Sequence, residues 1–245
     1  MSILFRLRPV PWVTVLIVGV TAVIASLGLV DPAVLSALRR DPGALAAGQW
    51  WRLLTPLLVR ADSWPVLALI LAFTAAAGAL VEQLLGIPEL LLLYLAAGVT
   101  GQAFGYAWDP HGAGSSVAML GLVSGLWVMT LRTDRRAPLG VRMVAAAGLC
   151  LVAALLAGRL LRNSLIASAL AAAGTAVVTF NLVPRLRNSL AEAGLAVTGL
   201  AAGVILTALQ DNHGPAILAG ACVAGLLLLR PRLAEGIGQQ SRSQR

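Results

Sequence analysis

The chain of 245 residues is 59% hydrophobic and only 11% charged, and its mean hydropathy is +0.88. A soluble domain carries roughly 25% charged residues, so this composition excludes a surface covered by water and predicts a protein embedded in a lipid bilayer. The net charge of +8 comes from 18 basic residues, all of them arginine. Most of these arginines lie at the ends of apolar runs, which indicates contact with lipid headgroups rather than with nucleic acid.

Eight apolar segments follow one another along the chain. Each is predicted to be a transmembrane helix, because in hydrocarbon the backbone polar groups must find partners inside the segment. In chain order they cover 11–30, 64–81, 89–108, 116–131, 141–158, 164–183, 190–209 and 215–229. The expected fold is therefore all-α, a polytopic transmembrane bundle forming one domain over 1–233. The tail 234–245, rich in Gln, Ser and Arg, is expected to be disordered and cytoplasmic.

The arginines also predict an orientation. If the N-terminus is inside and the spans alternate, twelve arginines face the cytoplasm and six face outward, which favours both termini in the cytoplasm. Arginine without lysine is typical of a GC-rich genome, and it points to a bacterial plasma membrane. The first outer loop, 31–63, contains Gln49-Trp50-Trp51-Arg52, an amphipathic patch suited to the membrane interface.

Few residues offer metal or redox chemistry. The chain has two histidines and two cysteines, and both Cys150 and Cys222 fall within apolar segments. They are interpreted as small packing residues without a disulfide. No metal site and no cofactor are expected.

Two polar clusters lie at the outer ends of predicted spans. Ser115 and Ser116 follow a glycine-rich turn and open the fourth span, where helix N-terminal N–H groups are free to bind an oxyanion. His213 precedes the last span. Each cluster alone is open to a structural interpretation, in which Ser115 caps a helix, Ser116 packs between helices and His213 is a loop residue.

Taken together, the clusters indicate chemistry. The predicted topology puts Ser116 and His213 at similar depth on the outer side. A hydroxyl is a poor nucleophile until a base removes its proton, and imidazole suits that role at neutral pH. A serine paired with a single base is an accepted variant of the catalytic triad.

The chain contains several short motifs: Trp51-Arg52, Gly78 with Glu82, Gly114-Ser115-Ser116, Gly121, and His213 followed by Ala216 and Gly220. Together they resemble the motifs of the rhomboid family of intramembrane serine proteases. The resemblance implies a six-helix core with two additional spans. It also implies a Ser116 nucleophile, a His213 general base, and Ser115 with Gly114 supporting the oxyanion. The implied partners are the bilayer and single-span membrane protein substrates, cleaved near the outer face; no oligomeric state is implied.

The chain departs from the family pattern in three respects. Val66 and Ile70 stand where the family carries the His and Asn that help to hold the oxyanion. Val117 replaces a glycine that follows the nucleophile. Three predicted spans separate Ser116 from His213, where one is usual. An alternative register would put Ile217 at the histidine position and leave the chain without a base; we prefer His213, which keeps the base and the small residues.

Two other function classes therefore compete with a protease. The first is a pseudoprotease that uses a rhomboid scaffold to bind membrane helices or a complex partner without cutting them, and Val66, Ile70 and Val117 favour it. The second, a small-solute transporter, is disfavoured because the acidic residues Glu82, Asp109 and Asp211 all lie near span ends, so that an ion relay lacks parts.

Overall fold

The computed structural model describes residues 10–59, 63–131, 137–161, 165–182 and 189–229. Within these ranges it describes the side chains of all residues except 180–192. This part of the chain is helical and contains no strand, which confirms the all-α prediction. The tail 234–245 lies outside the described residues. The long helices are α1 (Trp12–Val30), α4 (Trp64–Leu84), α5 (Ile87–Trp108), α6 (Ser116–Thr130), α7 (Leu139–Leu160), α8 (Leu165–Leu182), α9 (Ser189–Ala208) and α10 (His213–Leu229). Between α1 and α4 lie the short helices α2 (Pro32–Leu38) and α3 (Pro42–Ala46) and two 3₁₀ turns, Trp50–Leu53 and Thr55–Leu57.

The long helices correspond in order to the eight predicted spans. In the described residues, α1, α4, α5 and α7 are long and apolar enough to cross a membrane. The other four contribute shorter apolar helical stretches, Ser116–Thr130, Leu165–Thr179, Ala193–Ala208 and His213–Leu229. The protein is thus an integral membrane bundle.

Helix α6 lies at the centre of the bundle and packs against α4, α5, α7, α9 and α10. Its sequence is apolar all round, and a helix of that kind is stable only when it is buried on every side. Almost all of its side chains are indeed buried. At 15 residues it is about 22 Å long, shorter than the ~30 Å hydrocarbon core, so at least one of its ends lies within the membrane depth.

Small residues let α6 approach its neighbours at backbone distance. A Cβ added to Gly121 would lie 2.0 Å from the Cβ of Ala97 on α5, and one added to Gly220 on α10 would lie 2.5 Å from the carbonyl oxygen of Gly121. Membrane helices associate through van der Waals contact rather than a hydrophobic driving force, and small residues at the crossing provide that contact. Gly121 and Gly220 therefore fix the separation between α6 and α10.

Gly78 and Glu82 attach the end of α4 to the start of α1. The buried Glu82 carboxylate accepts hydrogen bonds from the Val13 and Thr14 N–H groups, at 3.2 and 2.8 Å, and from the Thr14 hydroxyl at 2.7 Å. N–H groups at a helix start have no acceptor within the helix, and they favour an anion. Thr14 also packs directly on Gly78, whose added Cβ would lie 2.8 Å from the Thr14 methyl carbon.

Candidate active site

Ser116 and His213 are the first residues of α6 and α10. Because these two helices pack together and start on the same side of the bundle, the two side chains meet. The Ser116 hydroxyl oxygen lies 2.8 Å from Nε2 of His213, across 97 residues of sequence. Ser116 is 7% exposed, and so the contact is shielded from bulk solvent. The geometry is that of a nucleophile and its base.

Asp211 holds the opposite edge of the imidazole. Its Oδ1 lies 2.5 Å from Nδ1 of His213 and also accepts the His213 backbone N–H at 3.0 Å. Its Oδ2 accepts a hydrogen bond from Nε of Arg159, near the end of α7, at 2.5 Å. The sequence predicts no catalytic role for Asp211, which stands in the polar cluster before the last span and among the charges near span ends. The one local signal was its position two residues before His213, where Asp often caps a helix.

The Asp211 side chain is 4% exposed. Burial opposes its ionisation, but the hydrogen bond and charge contact with His213, followed by the hydrogen bond from Arg159, outweigh burial and hold the pKa of Asp211 well below its usual range. The carboxylate is therefore ionised and can only accept hydrogen bonds. An unbroken chain of contacts runs from Arg159 through Asp211 and His213 to Ser116.

The turn that leads into α6 is fixed by a buried arginine. Arg40 is 1% exposed, and it donates from Nε to the Asp109 carbonyl and from Nη2 to the Asp109 carboxylate, both at 2.8 Å. Its backbone N–H bonds to the Gly112 carbonyl at 3.0 Å. Gly105 and Gly112 leave the space for its guanidinium, since a Cβ on either would collide with it. In the sequence, Arg40 stands out only as one of the six arginines predicted to face outward.

Three further hydrogen bonds connect this turn to the bundle. Gln102 on α5 accepts a hydrogen bond from Arg40 and donates one to the Gly114 carbonyl at 3.1 Å. The Gly114 N–H donates to the Pro56 carbonyl at 2.9 Å. The backbone that enters the Ser115-Ser116 step is thus held from both sides.

Ser115 does not cap α6 with its side chain, although the sequence left that interpretation open. The Ser115 side chain makes no capping bond to α6, and its hydroxyl is buried with no hydrogen-bond partner among the described residues. On α4, neither Val66 nor Ile70 supplies a donor, and Ile70 belongs to the hydrophobic core. Val117 packs against Gly101 of α5, which lacks the Cβ that would collide with it.

Arg52 is buried and hydrogen-bonded within the first loop, whereas its neighbour Trp51 is exposed. Arg52 donates to the side-chain oxygen of Gln49 at 2.7 Å and to the Ser36 and Arg39 carbonyls at 3.0 and 2.8 Å, at the end of α2. A cation there is favoured by the helix dipole. Trp51 is 54% exposed, which suits a side chain at the lipid interface. Arg52 therefore braces the first loop internally.

The fold and the site define the class as a polytopic helical membrane protein with a serine–histidine pair between two packed helices. A family model described as the Rhomboid domain matches residues 47–209, and the chain belongs to the rhomboid family. It is also similar to the rhomboid protease GluP of Bacillus subtilis (strain 168), with 34% identity over 93 residues. That alignment covers 38% of this chain and 18% of the relative. Family membership supports an intramembrane protease-type function.

Proposed function

We propose that this protein is an intramembrane serine endopeptidase that cleaves transmembrane-helix substrates near the outer membrane face. Ser116 is the nucleophile and His213 the general base. The observation that carries the proposal is the 2.8 Å distance between the Ser116 hydroxyl and Nε2 of His213. Heavy-atom separations of about 2.6–3.2 Å are those required for proton transfer to a general base.

The chemistry follows from this contact. Nε2 of His213 accepts the hydroxyl proton as the Ser116 oxygen attacks the substrate carbonyl carbon. The imidazolium then gives that proton to the leaving amide nitrogen, the peptide bond breaks, and an ester to Ser116 remains. Water, deprotonated by the same imidazole, hydrolyses the ester and restores the serine. No cofactor takes part in any of these steps.

The negative oxygen of the tetrahedral intermediate needs donors that α4 does not supply. We assign this role to the unpartnered hydroxyl of Ser115 and to N–H groups in the first turn of α6, which have no acceptor within the helix. Gly114, held by Pro56 and Gln102, fixes the backbone that presents these donors. Each well-placed donor contributes roughly 10²–10³ in kcat in soluble serine proteases.

The substrate class follows from the position of the site. We place both termini in the cytoplasm of a bacterial plasma membrane, as the arginine distribution favours, so that α6 and α10 begin on the outer side. A buried serine at the start of a short helix reaches a peptide bond only when a substrate helix unwinds locally. Single-span membrane proteins with small residues near the scissile bond meet that requirement.

The proposal is tested with a fluorophosphonate probe, which reacts with activated serines. The purified protein in detergent should be labelled, and labelling should be lost in Ser116→Ala and in His213→Ala. Ser36→Ala is the matched control, because this serine lies on exposed α2 and should leave labelling unchanged. Labelling that persists in Ser116→Ala would exclude this serine as the nucleophile.

A pseudoprotease that binds membrane helices is the second candidate, favoured by the apolar Val66 and Ile70 on α4. It predicts a folded protein that the probe does not label and that can still be crosslinked to transmembrane helices. Under this alternative, Ser116→Ala leaves helix binding unchanged. Labelling of the wild type at Ser116 would reject it.

A further inference from the structure

We infer that Asp211, held in place by Arg159, is a positioning residue that completes a Ser116–His213–Asp211 triad by fixing the tautomer and orientation of His213. This inference rests on the proposed function, because the triad acts on the same nucleophile. It assigns to Asp211 a role beyond closing the turn between α9 and α10. It also gives α7, one of the three helices between Ser116 and His213, a part in the site.

The tautomer follows from the acceptor character of the carboxylate. An ionised carboxylate offers no proton, so the 2.5 Å contact between Asp211 Oδ1 and His213 Nδ1 requires the hydrogen on Nδ1. In the neutral ring Nε2 is then unprotonated and faces the Ser116 hydroxyl at 2.8 Å. This is the one neutral form of the imidazole that can accept the serine proton. In the opposite tautomer Nε2 carries a hydrogen and cannot act as base.

Helix capping alone does not account for Asp211. Asp31 offers a direct comparison, because its Oδ1 accepts the N–H of Ala33, two residues further on, at 2.8 Å. Asp211 makes the same local bond to His213 at 3.0 Å. Asp31, however, is exposed, whereas Asp211 is buried and also bonds the imidazole and Arg159. Burying a carboxylate is costly unless it is paired and hydrogen-bonded, so these additional partners are what keep it there.

Arg159 sets the direction of the carboxylate. Its bond to Oδ2 leaves Oδ1 directed at His213, so the carboxylate cannot rotate without losing one partner. When Ser116 attacks and the ring becomes positively charged, Asp211 already lies beside it as the counter-charge. A preorganised charge of this kind needs no rearrangement as the transition state forms.

The first test measures the tautomer directly, without relying on activity. Besides His213 the chain has one other histidine, His111, which is exposed. In a His111→Gln background, His213 is therefore the single imidazole in a ¹⁵N-histidine spectrum. For the neutral ring we expect the Nδ1–H form with a strongly downfield Nδ1 proton. In Asp211→Asn that proton signal should disappear and the Nε2–H form should emerge. An Nε2–H ring in the otherwise native protein would overturn the inference.

The second test measures the rate of fluorophosphonate labelling. In Asp211→Asn, an amide nitrogen turned towards Nδ1 favours the Nε2–H ring, and we expect labelling to slow by at least about 100-fold, towards the ~10⁴-fold loss that the same change causes in a soluble triad protease. Asp31→Asn, the control carboxylate at a helix cap, should label at the wild-type rate. Asp211→Ser, whose hydroxyl can still accept the His213 backbone N–H, replaces Asp211→Asn if that variant does not fold.

The outcomes separate this inference from the proposed function. If labelling depends on Ser116 and proceeds at the wild-type rate in the Asp211 variants, the protease stands and the triad fails. If the wild type is not labelled but His213 is in the Nδ1–H form only when Asp211 is present, the positioning role stands and the protease proposal fails. A uniform loss of folding in the variants leaves the tautomer of the native ring to decide.

Discussion

Replacement of Gly220 by alanine tests whether the distance between α6 and α10 sets the serine–histidine contact. An added Cβ would lie 2.5 Å from both the Gly121 carbonyl oxygen and the Ser124 hydroxyl, and 2.7 Å from the Gly121 Cα. Non-bonded carbon atoms prefer separations of about 3.5–4.0 Å, so the helices must move apart by roughly 1 Å. The backbone atoms of Gly121 cannot rotate away as a side chain does.

The shift reaches the site because the clash lies close to it along rigid helices. Gly220 is two turns after His213, roughly 10 Å along α10, and Gly121 follows Ser116 on α6. We expect overpacking to cost about 1–3 kcal/mol of unfolding free energy. A displacement of about 1 Å in a reacting pair can lower the rate by ~100-fold, and the serine–histidine bond should lengthen accordingly.

The assay compares labelling rate and thermal unfolding of Gly220→Ala with those of Gly225→Ala. Gly225 is on the same helix, and a Cβ there meets nothing within 4 Å, so this control should label like the wild type. Adding Ser124→Ala to Gly220→Ala removes one of the two nearest clashes and should restore part of the rate. Wild-type labelling and stability in Gly220→Ala would refute the close-packing argument.

Three further outcomes follow from the structure. Ser115→Ala should slow labelling by roughly 10²–10³-fold, because an oxyanion donor is lost. The unfolding temperature should not fall, because the buried hydroxyl makes no hydrogen bond that the substitution would remove. An unchanged labelling rate would show that Ser115 does not act in the site. Glu82→Gln should lower the free energy of unfolding by about 1.5–3 kcal/mol, since a charged acceptor of three hydrogen bonds is lost. In the same thermal unfolding assay, the control Glu89→Gln, in the first turn of α5, should lower it by no more than about 1 kcal/mol. The pKa of Asp211 is held below its unfolded value, so its ionised form stabilises the fold above about pH 4, and this contribution is lost as the pH falls further. The difference in unfolding temperature between the wild type and Asp211→Asn should therefore narrow below about pH 4. A difference that stays constant with pH would contradict the assignment.

The helices could be predicted from the sequence because hydrocarbon leaves the backbone few alternatives. Within the described ranges, the eight predicted apolar runs correspond in order to eight long helices. Differences appear at the ends, where local chemistry competes with hydropathy. The last helix was expected from 215 and begins at His213, because Asp211 accepts the His213 N–H and starts the helix two residues earlier.

The site was predictable only where a residue type carries its own signal. A hydroxyl and an imidazole at the ends of apolar spans are unusual, and so Ser116 and His213 could be proposed from the sequence. Asp211 and Arg40 could not, because their roles depend on tertiary contacts. Asp211 needs Arg159, 52 residues away, and Arg40 needs the space left by Gly105 and Gly112. In sequence, both are ordinary charges between spans.

The distribution of buried polar groups favours an enzyme over a binding scaffold. On α4, the positions that lack the expected donors, Val66 and Ile70, belong to the hydrophobic packing, so they bring no polar cost to the bundle. Where α6 and α10 begin, by contrast, a continuous chain of polar side chains runs from Arg159 through Asp211 and His213 to Ser116. Burying such a chain costs desolvation free energy that apolar residues of similar volume would avoid. Helix binding makes no use of an imidazole held by a carboxylate on one nitrogen and a serine on the other, whereas serine-dependent acyl transfer uses that arrangement directly.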